Sequence, residues 1–125
     1  MSKYYDKAVA LREDATVHYN CAQAVLIPFA EDAGLSEKVA KNISSNFGSG
    51  MKRAATCGAV TGGLMVLGMY GVEDPSIIGE YHKRIKDNHE GHLDCAALLK
   101  INNEQGRAKK PHCDDMVYEC VKIAE

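Results

Sequence analysis

The chain has 125 residues, 46% of them hydrophobic and 26% charged, and its 15 Lys plus Arg stand against 17 Asp plus Glu for a net charge of -2. That is enough for one core and no more, spanning 1–125 as a single domain without a linker or internal repeat. It carries no surplus of positive charge to neutralise a phosphate backbone, so nucleic acid is not an expected partner. Aromatic residues make up only 6%, tryptophan is absent and proline numbers 3, a balance that favours helices over strands and predicts an all-α bundle.

From Tyr4 the apolar positions Tyr4, Ala8, Leu11 and Ala15 step by helical spacing, which predicts a first helix ending near His18. Asn20 with Gln23 three residues on is a capping-box arrangement, so a second helix is expected from Cys21 through Val25 and Phe29, with Pro28 bending or shortening it and Gly34 as its stop. Ser36 caps a short helix from Glu37 to about Ser45, and Asn46-Phe47-Gly48-Ser49-Gly50 interrupts the chain with residues suited to positive φ.

Residues 54–72 form a run of 19 without a charge, long enough to raise the question of a membrane span. Its glycines do little for insertion and the other predicted helices are amphipathic, so a helix buried on all sides is expected from about Cys57 to Tyr70, and no membrane. Gly58 and Gly62 are four apart, as are Ala55, Ala59 and Gly63. Two stripes of this Gly-rich central helix therefore lack bulk, and other backbones or a cofactor can come close. Asp74-Pro75 opens a further helix whose face is Ile77, Ile78, Tyr81 and Ile85. Asp94 caps a short one carrying Cys95, Leu98 and Leu99, Asn102 to Lys110 reads as a loop, and the last helix is expected from near Cys113 to Ile123.

Five cysteines are the anomaly of the composition. The start, Met1 to Asp6, has no apolar segment and no twin arginine, so a cytoplasmic location is expected. There structural disulfides are rare, and metal binding or redox chemistry becomes the better account of the thiols. Cys21, Cys57 and Cys95 each follow a residue type that caps helices (Asn20, Thr56, Asp94), and Cys113 follows Pro111 by two. A thiol in the first turn of a helix meets unpaired N–H groups and is made more acidic. Cys120, seven residues beyond Cys113 on the same face, is read as core packing. There is no Cys-x-x-Cys, so spacing alone names no ligand.

Asn20-Cys21-Ala22-Gln23-Ala24-Val25, Phe47-Gly48-Ser49-Gly50-Met51 and Thr56-Cys57-Gly58-Ala59-Val60-Thr61-Gly62-Gly63-Leu64-Met65 are followed by Cys95 and Cys113. In these segments and their order, from about Tyr19 onward, the chain resembles the C_GCAxxG_C_C family of redox-active proteins. The resemblance implies a small all-helical protein with four family cysteines, here Cys21, Cys57, Cys95 and Cys113, and a redox role discussed as iron–sulfur binding. Lys52-Arg53 and the histidine-bearing stretch His89-Glu90-Gly91-His92 depart from the pattern and change the charge near the expected site.

The leading expectation is an electron carrier whose four thiolates bind an iron–sulfur cluster, [2Fe–2S] first, with Gly58 and Gly62 letting backbone approach it and an unidentified redox protein as partner. One alternative is thiol–disulfide exchange, with Cys57 attacking and Cys21, Cys95 or Cys113 resolving. Another is a zinc-stapled interaction module without redox function. No residues name a small-molecule substrate, and a site near the surface leaves room for completion across a homodimer. Among the histidines, His89 and His92 have ligand spacing to Cys95, and His112 beside Cys113 is the strongest candidate to ligate or to tune a thiol. Gly48-Ser49-Gly50 with Lys52-Arg53 lacks the spacing and the preceding strand of a phosphate loop, so the two cations are expected beside the cysteine site. Met51, Met65 and Met69 read as core filler.

Overall fold

The computed structural model describes residues 3–106 and 109–124. Among these the fold is all-α: α1 (Lys3–Glu13), α2 (Cys21–Ala30), α3 (Glu37–Ser44), α4 (Gly58–Met69), α5 (Pro75–Asn88), α6 (Cys95–Glu104) and α7 (Lys109–Ala124), with a tight turn at Gly50–Ala54 between α3 and α4. Among the described residues an isolated antiparallel bridge joins Thr56 and Asp94. No helix of the described residues is long and apolar enough to cross a membrane.

α4 lies at the centre, packed chiefly against α2 and α7. Its small residues explain how. A Cβ on Gly62 would stand 2.9 Å from the carbonyl oxygen of Ala22 and 3.0 Å from Val25 Cβ, so the bare backbone lets α2 lie directly on α4. A Cβ on Gly63 would overlap the Tyr81 hydroxyl, which enters that notch from α5 and donates a 2.8 Å hydrogen bond to the Val60 carbonyl. Val25, Leu26, Val60, Val66, Leu98, Met116, Val117 and Val121 complete a core from which water is excluded.

Several boundaries differ from the sequence reading, each for a local reason. α1 stops at Glu13 rather than near His18, because the Asp14 carboxylate accepts the backbone N–H groups of Thr16 and Val17 and turns the chain out of the helix, leaving Ala15 exposed. α4 is buried along Gly58, Ala59, Val60, Gly62, Gly63 and Val66, but Leu64, Met65, Leu67 and Met69 are only half-buried, so the helix is not enclosed on all sides. On α5 the inward residues are Tyr81 and Ile85, while Ile77 is 49% exposed. α6 continues to Glu104 with Asn102 buried, which takes the first three residues of the expected loop, and Met51 is exposed on the turn before α4 rather than packed in the core. α7 begins at Lys109, four residues before Cys113. Pro111 is tolerated inside its first turn, where a backbone N–H has no helical acceptor to miss.

Candidate functional site

Cys21 is the first residue of α2, and its position is fixed by a complete capping box. Asn20 Oδ1 accepts the Gln23 N–H at 2.8 Å and Gln23 Oε1 accepts the Asn20 N–H at 2.9 Å. The remaining amide groups of both side chains reach across to α3: Asn20 Nδ2 donates to the Ser45 carbonyl at 3.0 Å and Gln23 Nε2 to the Lys41 carbonyl at 3.1 Å. The cap therefore anchors the start of α2 to the end of α3 as well as satisfying its own helix.

Cys57 and Cys95, far apart in sequence, are held by the small bridge. The Cys57 N–H donates to the Leu93 carbonyl at 2.8 Å and the Cys95 N–H to the Ala55 carbonyl at 2.6 Å. Cys57 is itself the cap residue of α4, which starts one position later than the sequence suggested, since Thr56 belongs to the bridge. Cys95 opens α6 behind Asp94. Gly50 completes this corner, with φ of +62° and a Cβ position 2.6 Å from the Ala55 backbone and 2.9 Å from Cys95 Cβ, so the turn at 50–54 closes against Cys95 only with glycine there.

Cys113 arrives differently. It lies in the second turn of α7 and not at its head, so the expectation of four helix starts reduces to three plus a helix body. Its thiol stands close enough to that of Cys21 to raise it. Together Cys21, Cys57, Cys95 and Cys113 line a cavity of about 110 Å³, with Arg12 and the buried His112 also on its wall. Gly58 reaches the cavity too, where a Cβ would come within 2.8 Å of the Phe47 carbonyl; Gly62, one turn on, faces α2 and is not among the lining residues. All five cysteines are free thiols, and Cys120 is fully buried elsewhere in the core, as the periodicity suggested.

Cys21 and Cys57 are not acidic, contrary to the helix-start argument. Burial pushes Cys57 up to about 11 even though the backbone N–H groups of Ala59 and Val60 favour its thiolate. Cys21 is raised further by the close Cys113 thiol, by burial and by the neighbouring thiols, with Arg12 the opposing influence. Helix-end amides act as expected, but removal from water outweighs them.

Arg12 is the residue that sequence reasoning missed. Its side chain is only 6% exposed, and its Nε donates to Asp114 Oδ1 at 2.7 Å and its Nη1 to the Tyr19 carbonyl at 2.9 Å. The signal was present, for Arg12 stands four residues after buried Ala8 and beside buried Leu11, on the inward side of α1. The histidines divide. His18 and His112 line the cavity, whereas His89 pairs with Glu119 at 2.8 Å and neither it nor His92 reaches the cysteines. Lys52 and Arg53 are exposed on the turn that follows the lining residues Ser49 and Gly50, with Lys52 Nζ donating to Asn46 Oδ1 at 3.0 Å.

A family model described as "Putative redox-active protein (C_GCAxxG_C_C)" matches residues 19–125. The chain belongs to the C_GCAxxG_C_C family. No curated protein and no solved structure matches it. In this C_GCAxxG_C_C protein the matched segment contains all four cavity cysteines and leaves Arg12 and the rest of α1 outside it.

Proposed function

We propose that the four-cysteine cavity holds an iron–sulfur cluster, [2Fe–2S] as first choice, and that the protein carries single electrons to or from a redox partner protein. The observation that carries this reading is the gathering of Cys21, Cys57, Cys95 and Cys113 around one cavity although they are scattered along the chain. The donor set fits such a group, since four cysteine sulfurs are the ordinary complement of a [2Fe–2S] or [4Fe–4S] centre. Crowded, buried thiols that hold their protons are thiols in want of a positive charge, which iron supplies as the protons leave. When bound, a cluster takes up and releases one electron at a time.

The chain's own residues have separate tasks. The Ala59 and Val60 amides stabilise negative charge on the Cys57 sulfur, and Leu98 and Met116 place apolar surface on the cavity wall, where it limits water. A closed single-ion site has less support. Among the described residues no three His, Cys, Asp or Glu side chains are grouped to hold one metal ion, so the zinc-stapled alternative would need them to rearrange.

The closeness of Cys21 and Cys113 favours a second reading, thiol–disulfide exchange, in which two thiols give two electrons and two protons to a disulfide substrate and become a disulfide themselves. Its weakness is chemical, because the attacking species is the thiolate and Cys21 is held protonated. Iron and acid-labile sulfide analysis with a visible spectrum, on protein purified without oxygen, separates the readings. Iron with sulfide and a brown colour that Cys57→Ser abolishes is the expected result. Absence of both after reconstitution, with a free-thiol count falling by two on oxidation, would replace the cluster with the dithiol.

A further inference from the structure

We propose that Arg12, on a helix outside the family's matched segment, is the fixed counter-charge for the Cys21 and Cys113 side of the cavity and, opposed by Asp114, sets how readily the site accepts an electron. The inference rests on the cluster reading above and assigns to α1 a part in tuning it.

A guanidinium has five N–H groups, and two of Arg12's are accounted for by Asp114 Oδ1 and the Tyr19 carbonyl. Those two bonds hold it on the cavity wall at 6% exposure, with no freedom to withdraw into solvent. Asp114 is shared, since its other oxygen accepts Lys110 Nζ at 2.9 Å. One carboxylate thus serves two cations, and the positive charge left over at the buried end of the pair belongs to Arg12, because Lys110 is 64% exposed and screened by water. Cys21 and Cys113 are the groups that receive it: each interacts favourably with the guanidinium as it gains negative charge.

Electron uptake adds negative charge to the cavity, so a buried cation beside it favours the reduced state and a buried carboxylate disfavours it. Arg12 and Asp114 accordingly act with opposite sign. His18 and His112 also face the cavity, and no acidic side chain is among its lining residues. Tyr19, whose carbonyl fixes Nη1, stands two residues before Cys21, so the same contact ties the guanidinium to the chain that presents the thiol.

The test is an optical redox titration of the reconstituted full chain in four forms. Arg12→Gln should make reduction at least about tenfold less favourable, which is ~59 mV for one electron, and Asp114→Asn should move the midpoint the other way. The double variant should return toward the parent, and Arg12→Lys, which keeps the charge but loses the fork, should stay close to it. In parallel, alkylation of metal-free protein by iodoacetamide at one fixed pH, mapped by peptide, should slow at Cys21 and Cys113 in Arg12→Gln, quicken in Asp114→Asn, and leave Cys95 unchanged. Shifts of the same sign in both single variants, or no shift in either, would overturn the proposal, since a purely structural ion pair predicts no opposition. If the parent assembles no cluster, the cluster reading fails and the alkylation pattern alone decides the role of Arg12. If Arg12→Gln does not fold, the Asp114→Asn and Arg12→Lys results decide it, an unmoved Asp114→Asn midpoint being the adverse one.

Discussion

Cys113 and Cys120 stand seven residues apart on α7, yet they belong to regions of opposite physics. Around Cys113 the chain gathers sulfur, backbone amides, a buried guanidinium and a cavity, and it does so with caps, a bridge and a positive-φ turn. Around Cys120 it gathers apolar side chains and the Tyr81 hydroxyl, with no exposure at all. The first region is shaped so that a group can enter, the second so that nothing can. A cysteine's role here follows from which elements end beside it, since the same residue on the same helix serves both.

The largest effect that would break this comparison concerns the cysteines themselves. Replacing any one of Cys21, Cys57, Cys95 or Cys113 by Ser should abolish cluster assembly as read by iron and sulfide per chain, while Cys120→Ser leaves both unchanged and costs about 1–3 kcal/mol of stability through a buried hydroxyl. Loss of iron in Cys120→Ser would erase the distinction between the two regions. Next comes the notch on α4. Gly63→Ala should destabilise the fold by about 1–3 kcal/mol in urea denaturation, because its Cβ meets Tyr81 within a packed core.

A pH effect sharpens the same contrast. The Cys57 thiol is raised to about 11 in the fold from an ordinary value near 9.0, so the folded state holds its proton more tightly than the unfolded chain does. The stability of metal-free protein should therefore be undiminished below about pH 9, fall as the pH climbs toward 11, and fall less in Cys57→Ala; denaturant midpoints across that range check it. Asn20→Ala should cost about 1 kcal/mol, and as much as ~2, by removing the cap of α2, and it should also weaken cluster retention because Cys21 is the residue that the cap positions. The smallest expected change is in Tyr81→Phe, about 1 kcal/mol for the lost hydrogen bond to the Val60 carbonyl, with iron content unchanged.

Much of this arrangement is legible in the residues alone, for reasons confined to a few neighbours. Helix starts at Asn20, Ser36 and Asp74 follow from side chains that cap their own next turn. Helical spacing placed Cys120 inward, and small residues on the 58–63 stretch announced a helix that others approach closely. The early end of α1 hid in the Asp14 turn, and the head of α7 hid in Lys109 and Lys110, which have no apolar pattern to mark them.

Sequence by itself determined that the chain is helical, that it belongs to the C_GCAxxG_C_C family, and which four thiols the family's pattern marks, because caps, periodicity and motifs are local. Only the tertiary structure decided that those thiols share a cavity, that Cys113 reaches it from a helix body, and that Gly62 serves helix packing while Gly58 also borders the cavity. It alone decided the raised thiols of Cys21 and Cys57 and the presence of Arg12 beside them. Both depend on how much water is removed and which charges are brought near, quantities set by elements far apart in the chain.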